Sequence, residues 1–410
     1  MNIEWKILMN SFKIPKIRFM NFNDKWKYII LGEISNSIEY GLNASAKDFD
    51  GIHKYLRITD IDDSSRLFLT DKLSSPDVNF SEEDYENYKL QKNDLLFART
   101  GASVGKTYLY RESDGEVYYA GFLIRARLRD SFDGNFVFQQ TLTDKYKQFI
   151  EITSQRSGQP GVNGKEYGEW KIGMTSYHEQ SAIGSLFRTL DDLLVSYKDN
   201  LANYQSLKAN MLSKMFPKDG QTVPEIRLDG FEGEWEEKEF SKLVKRVTQS
   251  SDSNSLPKVE FEDIISGQGR LNKDISNKFD NRKGIHFKPG YTLYGKLRPY
   301  LNNWLLPKFE GVALGDFWVF DPNGNDSNFI YFLVQSGRYQ KVANDTSGTK
   351  MPRSDWKSVS STIFAIPQTV AEQQAIGAYF SNLDNLIAAH QEKISQLETL
   401  KKKLLQDMFI

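Results

Sequence analysis

"EQSAIGSLFRTLDDLL" occupies Glu179–Leu194, and "EQQAIGAYFSNLDNLI" occupies Glu372–Ile387. The two stretches lie 193 positions apart in a chain of 410 residues. Self-similarity at a fixed offset outranks any local motif in deciding a fold. The likeness runs on well past the quoted residues. Ile183, Phe187, Leu190, Leu194, Tyr197, Leu201, Tyr204, Lys208, Met211 and Met215 alternate spacings of four and three. Their counterparts are Ile376, Phe380, Leu383, Ile387, His390, Ile394, Leu397, Lys401, Leu404 and Met408. Both sets are heptad seams with Lys at the same polar position. No Pro interrupts either span, and Gly occurs only near the start, at Gly184 and Gly377. The spacing predicts two helices, each about 55 Å long at 1.5 Å per residue. Helices in compact domains average about 11–12 residues, so a seam this long calls for a second long helix beside it. The simplest partner for each is the other, paired about a pseudo-two-fold axis.

A second repeat supports this plan. "PKIRFMNFNDKW" (Pro15–Trp26) matches "PEIRLDGFEGEW" (Pro224–Trp235) with Pro, Ile, Arg, Phe and Trp in register. The order is therefore lead-in, domain, helix, given twice. Pro217, Gly220 and Pro224 stop the first helix and make the linker. The expected divisions are a lead-in at 1–26, a domain at 27–178, a central helix at 179–216, a second lead-in at 217–235, a domain at 236–370 and a last helix at 371–410. The helices and lead-ins stay alike while the domains differ, as in a constant frame carrying two variable readers.

Each domain groups short apolar strands ahead of a helical stretch. In the first these include "YLRITDI", "NDLLFART" and "FLIRARL", then "FVFQQTLTDKYKQFIEIT". In the second they include "GYTLYGKLR" and "DFWVFDP", then "NFIYFLVQSGRYQKVAND". The class is α+β. "NDLLFAR" aligns with "GYTLYGKLR", and "TSQRSGQPGV" with "TSGTKMPRSDW".

Composition narrows the chemistry. The chain has no Cys, which removes disulfides, thiolate nucleophiles and Cys-ligated metals together. Its four His, at 53, 178, 286 and 390, show no metal or triad spacing. No apolar run approaches the roughly 18 residues of a membrane span, so a cytoplasmic location is expected. "GASVGKT" (Gly101–Thr107) has one residue too few between its first Gly and the Gly-Lys pair for a phosphate loop, and a strand-like segment follows it. No methyltransferase, cofactor-loop or nuclease motif is present, so no catalytic residue and no metal ligand is assigned.

The net charge of −1 is unevenly placed. Arg270–Arg298 holds eight Lys or Arg against two Asp, and Lys89–Arg111 holds five against one. Each could be a basic face, but charge alone favours a solvated strand or loop surface. In "YGKLRPYLNN" (Tyr294–Asn303), alternation puts Lys296 and Arg298 on one strand face, with Tyr300 and Asn302 just beyond. Arg and Lys can pair with guanine edges, Asn with adenine, and all of them with phosphate. The candidate DNA-contacting residues are Arg57, Arg99, Ser103, Lys106, Arg156 and Gln159 in the first domain, and Lys296, Arg298, Tyr300, Asn302, Lys350 and Arg353 in the second.

The paired "EQ.AIG..F..LD.LI"-like helices and the Pro-x-Ile-Arg…Phe…Trp lead-ins resemble the specificity subunits of type I restriction–modification systems. "NDLLFARTG", "SGQPGVNGKE" and "YGKLRPYL" are similar to phrases of such recognition domains. Pro367 fits the family pattern ahead of the Glu-Gln pair, whereas Met174 stands at the matching place in the first copy. The resemblance covers nearly the whole chain. It implies two target recognition domains, separated by an antiparallel coiled coil, each reading half of a bipartite duplex DNA site. It also implies two DNA adenine methyltransferase subunits and two restriction–translocase subunits as partners. S-adenosylmethionine, ATP and Mg²⁺ would serve those partners, leaving this chain without a cofactor or a catalytic activity. Two other readings remain at this point: a stand-alone tandem DNA-binding regulator, and a coiled-coil scaffold without DNA specificity.

Overall fold

The computed structural model describes residues 14–156, 158–276, 278, 281–345 and 351–410, with a short strand at Trp5–Ile7. The chain divides into two compact units, Met1–Lys198 with Lys393–Ile410, and Asp199–Glu392. Both are α+β and both follow one plan.

In the first unit a four-stranded antiparallel sheet has the order Ser35–Tyr40, Leu123–Leu128, Asp94–Ala98, Thr107–Leu109. In the second the order is Lys245–Val247, Phe317–Asp321, Thr292–Gly295, Trp304–Leu305. Asp94–Ala98 and Thr292–Gly295 are buried at every position, which is why they lack the alternation of a half-solvated strand. A parallel pair lies beside each sheet, Lys54–Leu56 with Val117–Tyr119, and Lys258–Val259 with Gly311–Ala313. A further ladder brings the two ends of each domain together: Lys27–Ile30 with Lys171–Met174, and Glu236–Glu239 with Ile363–Ile366.

The single helical stretch expected in each domain is two helices. They are Gly134–Gln140 and Asp144–Thr153 in the first unit, and Ser327–Leu333 and Gly337–Ala343 in the second. The break has a local cause. The Thr143 and Ser336 hydroxyls accept from the Tyr146 and Tyr339 amides, so each caps a new helix N-terminus.

The long helices run Tyr177–Lys214 and Val370–Asp407, 38 residues each. Within each unit their segments are antiparallel. In the first unit Phe187 stacks on Phe409 at 5.6 Å, Asp191 meets Lys401 at 2.6 Å, and Lys198 meets Glu398 at 2.8 Å. In the second, Phe380 stacks on Phe216 at 6.0 Å, and Asp384 meets Lys208 at 2.6 Å. The phenylalanine stack and the Asp–Lys pair of one unit are the repeat counterparts of those in the other, whereas Lys198 and Glu398 correspond to Gln391 and Gln205. The Asp of the "LD" pair thus selects the lone Lys of the opposing seam, a polar pairing that fixes register as a buried polar seam residue does in coiled coils. Burial pushes the Asp384 carboxyl above its ordinary value, and Lys208 opposes that shift.

The seam is not uniformly dry. Ile183, Phe187, Leu190, Leu194, Ile376, Phe380, Leu383, Ile394 and Leu397 are buried, whereas Tyr197, Leu201 and Ile387 are only half-buried. Leu190 and Leu383 are each 6% exposed. Replacing both by Asp should bury a carboxylate in each unit, at roughly 3 kcal/mol or more per site. Urea unfolding checks this, and an unchanged midpoint would refute the seam.

The conserved wording of the two repeats has a physical basis. Arg18 of the first lead-in makes a two-pronged ion pair with Glu179, Nε to Oε1 at 2.5 Å and Nη2 to Oε2 at 2.7 Å. Arg227 repeats it on Glu372 at 2.7 and 2.8 Å. The next residue, Gln, closes the domain. Gln180 Oε1 accepts from the Asp133 amide at 3.1 Å, and Gln373 Oε1 from the Asp326 amide at 2.9 Å. Those aspartates cap the Gly134–Gln140 and Ser327–Leu333 helices. Gly184 and Gly377 leave room there, since a Cβ at either would press on the Asp133 or Asp326 carboxylate. "EQ.AIG" is therefore a clasp for lead-in, helix and domain.

Candidate nucleic-acid interface

The two segments aligned by sequence occupy matching places in the two units. Past the strand Asp94–Ala98, the chain makes a tight turn at Gly101–Ser103. Gly101 donates to Pro160 O at 3.0 Å, and Val162 donates to Arg99 O at 2.9 Å. Past Thr292–Gly295, the turn is Pro299–Leu301. Arg298 donates to Pro352 O at 2.7 Å, and Ser354 donates to Lys296 O at 2.8 Å. Each unit thus ties a strand-following turn to a Pro-containing loop by the same two backbone bonds. "QPGV" and "MPRS" do the same job with different side chains.

The matching position puts Gly101, with φ +80°, opposite Arg298, with φ +49°. Glycine adopts that conformation without strain; arginine does not. This corrects the expected strand face. The strand ends at Gly295, Leu297 pairs with Arg353, and Arg298 has left-handed backbone. Lys296 and Arg298 are neighbours on a turn, not residues of one strand face. The carboxylate of Asp316 serves Lys296 at 3.6 Å and Arg353 at 2.9 Å. Among the described residues the Arg298 side chain has no ion-pair partner, and it is exposed. Tyr300 is 57% exposed beside it, and Asn302, half-buried, takes a second left-handed conformation at φ +53°. Lys350 lies outside the described residues.

The first unit builds its version differently. The Arg99 guanidinium lies over the Tyr40 ring at 5.2 Å and near the Phe122 ring at 6.0 Å. Both aromatics are exposed. The Gln159 side chain lies against Gly101, where a Cβ would meet its Nε2 at 2.9 Å. Arg156 is exposed but held by Glu166 at 2.5 Å. Ser103 is half-buried on the turn. Two candidates stand apart. Lys106 is buried, with its ammonium 2.7 Å from Asp63, so its charge is committed inside the unit. Arg57 forms a two-pronged pair with Asp60 at 2.8 and 2.9 Å, locking a one-turn helix. Tyr40 and Phe122 were not legible as site residues, because in sequence an aromatic beside apolar neighbours reads as core.

The turn continues into the strand Thr107–Leu109, so no helix N-terminus faces "GASVGKT". Among the described residues no group of three or more His, Asp or Glu could hold a metal ion. No described helix is long and apolar enough to cross a membrane. What the site offers is cations, amides and exposed aromatics, groups that can meet phosphate and base edges.

Residues 235–399 match the model of the type I restriction modification DNA specificity domain. Over those residues the chain resembles the specificity subunits of type I restriction–modification systems. Its relatives include the type I restriction enzyme MjaVIII specificity subunit of Methanocaldococcus jannaschii, 19% identical over 97% of this chain and 96% of that one. The EcoKI specificity subunit of Escherichia coli K12 is 26% identical over 46% of this chain and 40% of its own length. Among solved structures, the type I restriction–modification S subunit of M. genitalium has the same fold, with a TM-score of 0.64 at 15% identity, covering 97% of this chain and 99% of that one.

Proposed function

We propose that each unit reads one half of a bipartite duplex DNA site through its turn and tied loop. In this reading the long helices set the half-site separation and dock DNA methyltransferase subunits. Methylation and ATP-dependent cleavage belong to partner subunits, which use S-adenosylmethionine, ATP and Mg²⁺ in the cytoplasm. The supporting observation is one backbone device built twice with different exposed side chains. A frame that keeps its hydrogen bonds while exchanging Gly101 for Arg298 suits two readers of different sequence. The purified chain is expected neither to methylate nor to cut DNA, and turnover by a partner-free preparation would overturn that.

Arg298 carries the test. Arg298→Ala should lose about 1–3 kcal/mol of binding, confined to one half-site, if the guanidinium contacts a base. Arg298→Gly should lose the same affinity yet gain up to about 1 kcal/mol of stability, because it relieves a left-handed arginine. Lys296→Ala should weaken all duplexes alike and shallow the salt dependence by about one unit. Binding to matched and half-mismatched duplexes, with melting measured alongside, separates these outcomes. Wild-type affinity and preference in Arg298→Ala would remove the turn from the interface.

A further inference from the structure

The two units also share a cleft beside their helix pair, and here their chemistry parts. In the first unit it encloses about 820 Å³; in the second, about 230 Å³. The long-helix residues lining one are the repeat counterparts of those lining the other. Where the first has Lys198, Glu398 and Lys402, the second has Gln391, Gln205 and Ala209. Seven Lys or Arg and four Asp or Glu line the first cleft, whereas Lys208, Arg270 and Asp384 are the charges of the second. A cationic surplus stands out in a chain whose net charge is −1.

Two of these cations are available. Lys402 has no ion-pair partner among the described residues. Arg66 is 3.9 Å from Asp63, whose carboxylate is held by Lys106 at 2.7 Å. Arg66 has φ +60°, fixed in a tight turn by Asp62, whose Oδ1 accepts from the Ser64 and Ser65 amides at 3.0 and 2.6 Å. The Lys198–Glu398 pair is solvent-screened and exchangeable, its side chains 41% and 52% exposed. Ile150 and Leu194 form an apolar floor, each 8% exposed, with Leu405 beside them.

A cationic rim over an apolar floor, in a cleft of ligand-binding size, fits neither a bare phosphate nor a duplex. Neither would fill the floor. We propose that this cleft docks an acidic peptide segment of a partner protein. The segment would set one apolar side chain on Ile150, Leu194 and Leu405 and bring carboxylates to Arg66 and Lys402, and the second unit would have no equivalent site. This is independent of the DNA reading and does not use the turn at Gly101–Ser103.

The test uses the full chain and fluorescein-labelled peptides of about a dozen residues in which Asp and Glu flank a single Leu or Phe. Fluorescence anisotropy should show saturable binding, lost when Gln and Asn replace the acids or Gly replaces the anchor. The variant Arg66→Gly with Lys402→Ala should bind roughly tenfold more weakly or worse, a loss of about 1.4 kcal/mol. It should fold normally, because Gly suits φ +60° and the second unit carries Ala209 at the matching place; melting checks this. The proposal fails if none of the acidic peptides binds, or if the folded variant binds them as wild type does. It also fails if a short duplex, rather than the peptides, loses affinity in the variant, since the cleft would then be a phosphate surface.

Discussion

Glu179→Ala should cost about 3–5 kcal/mol, because it leaves the Arg18 guanidinium charged and buried with no carboxylate to meet it. The two side chains are 2% and 0% exposed, so water cannot replace the lost partner. Glu179 also accepts from the Thr175 hydroxyl, and that donor would be stranded too. Replacing both partners by apolar residues, Arg18→Met with Glu179→Leu, should recover much of the loss, since a buried ion pair contributes little beyond an apolar pair of similar volume. The counterpart change in the second unit is milder. Arg227 is 16% exposed and can turn partly toward solvent, so Glu372→Ala should cost less than Glu179→Ala. Denaturant unfolding of the three single and double variants checks the order. Equal small losses in all of them would mean that the clasp does not tie the lead-in to the helix.

Exchanging residues 236–370 for the corresponding domain of a relative should change one half of the methylated site completely and leave the other half and the spacing alone. The structure supports cuts at these places. Glu236–Glu239 pairs with Ile363–Ile366, so the domain enters and leaves through one ladder, and a foreign domain needs to supply that ladder and a helix-capping residue at the place of Asp326 to meet Gln373. The clasp residues Arg227, Glu372 and Gln373 lie outside the exchanged segment, so the frame stays native. Methylome sequencing of a methylation-free host that carries the chimera and its methyltransferase reads the result. A change in both half-sites would sink the two-reader model; no change at all would place recognition outside residues 236–370.

Much of this architecture was legible from periodicity. A four-three seam kept over four heptads admits no strand or loop reading, and its recurrence points to two long helices, which run Tyr177–Lys214 and Val370–Asp407. The lead-in repeats were equally plain, but their purpose was not. Sequence showed that Arg18 and Arg227 recur; it did not show that they meet Glu179 and Glu372, because a contact across 161 or 145 positions leaves no local trace. The geometry of the candidate interface was half legible. Aligning "NDLLFAR" with "GYTLYGKLR" located the turn in each unit. Alternation then misplaced Arg298, since period-two reasoning assumes that the strand continues and the strand stops at Gly295.

The sequence by itself determined the repeat, the helix lengths, the α+β class and the absence of thiol chemistry. Each of these is carried by residue identity or by spacing along one element. The tertiary structure decided which charges are available. Lys106 and Arg57 look like Arg298 in sequence, yet Asp63 and Asp60 hold the first two and nothing among the described residues holds the third. Availability of a charge depends on what folds against it, and an ion pair forms through space at a distance that spacing along the chain does not encode.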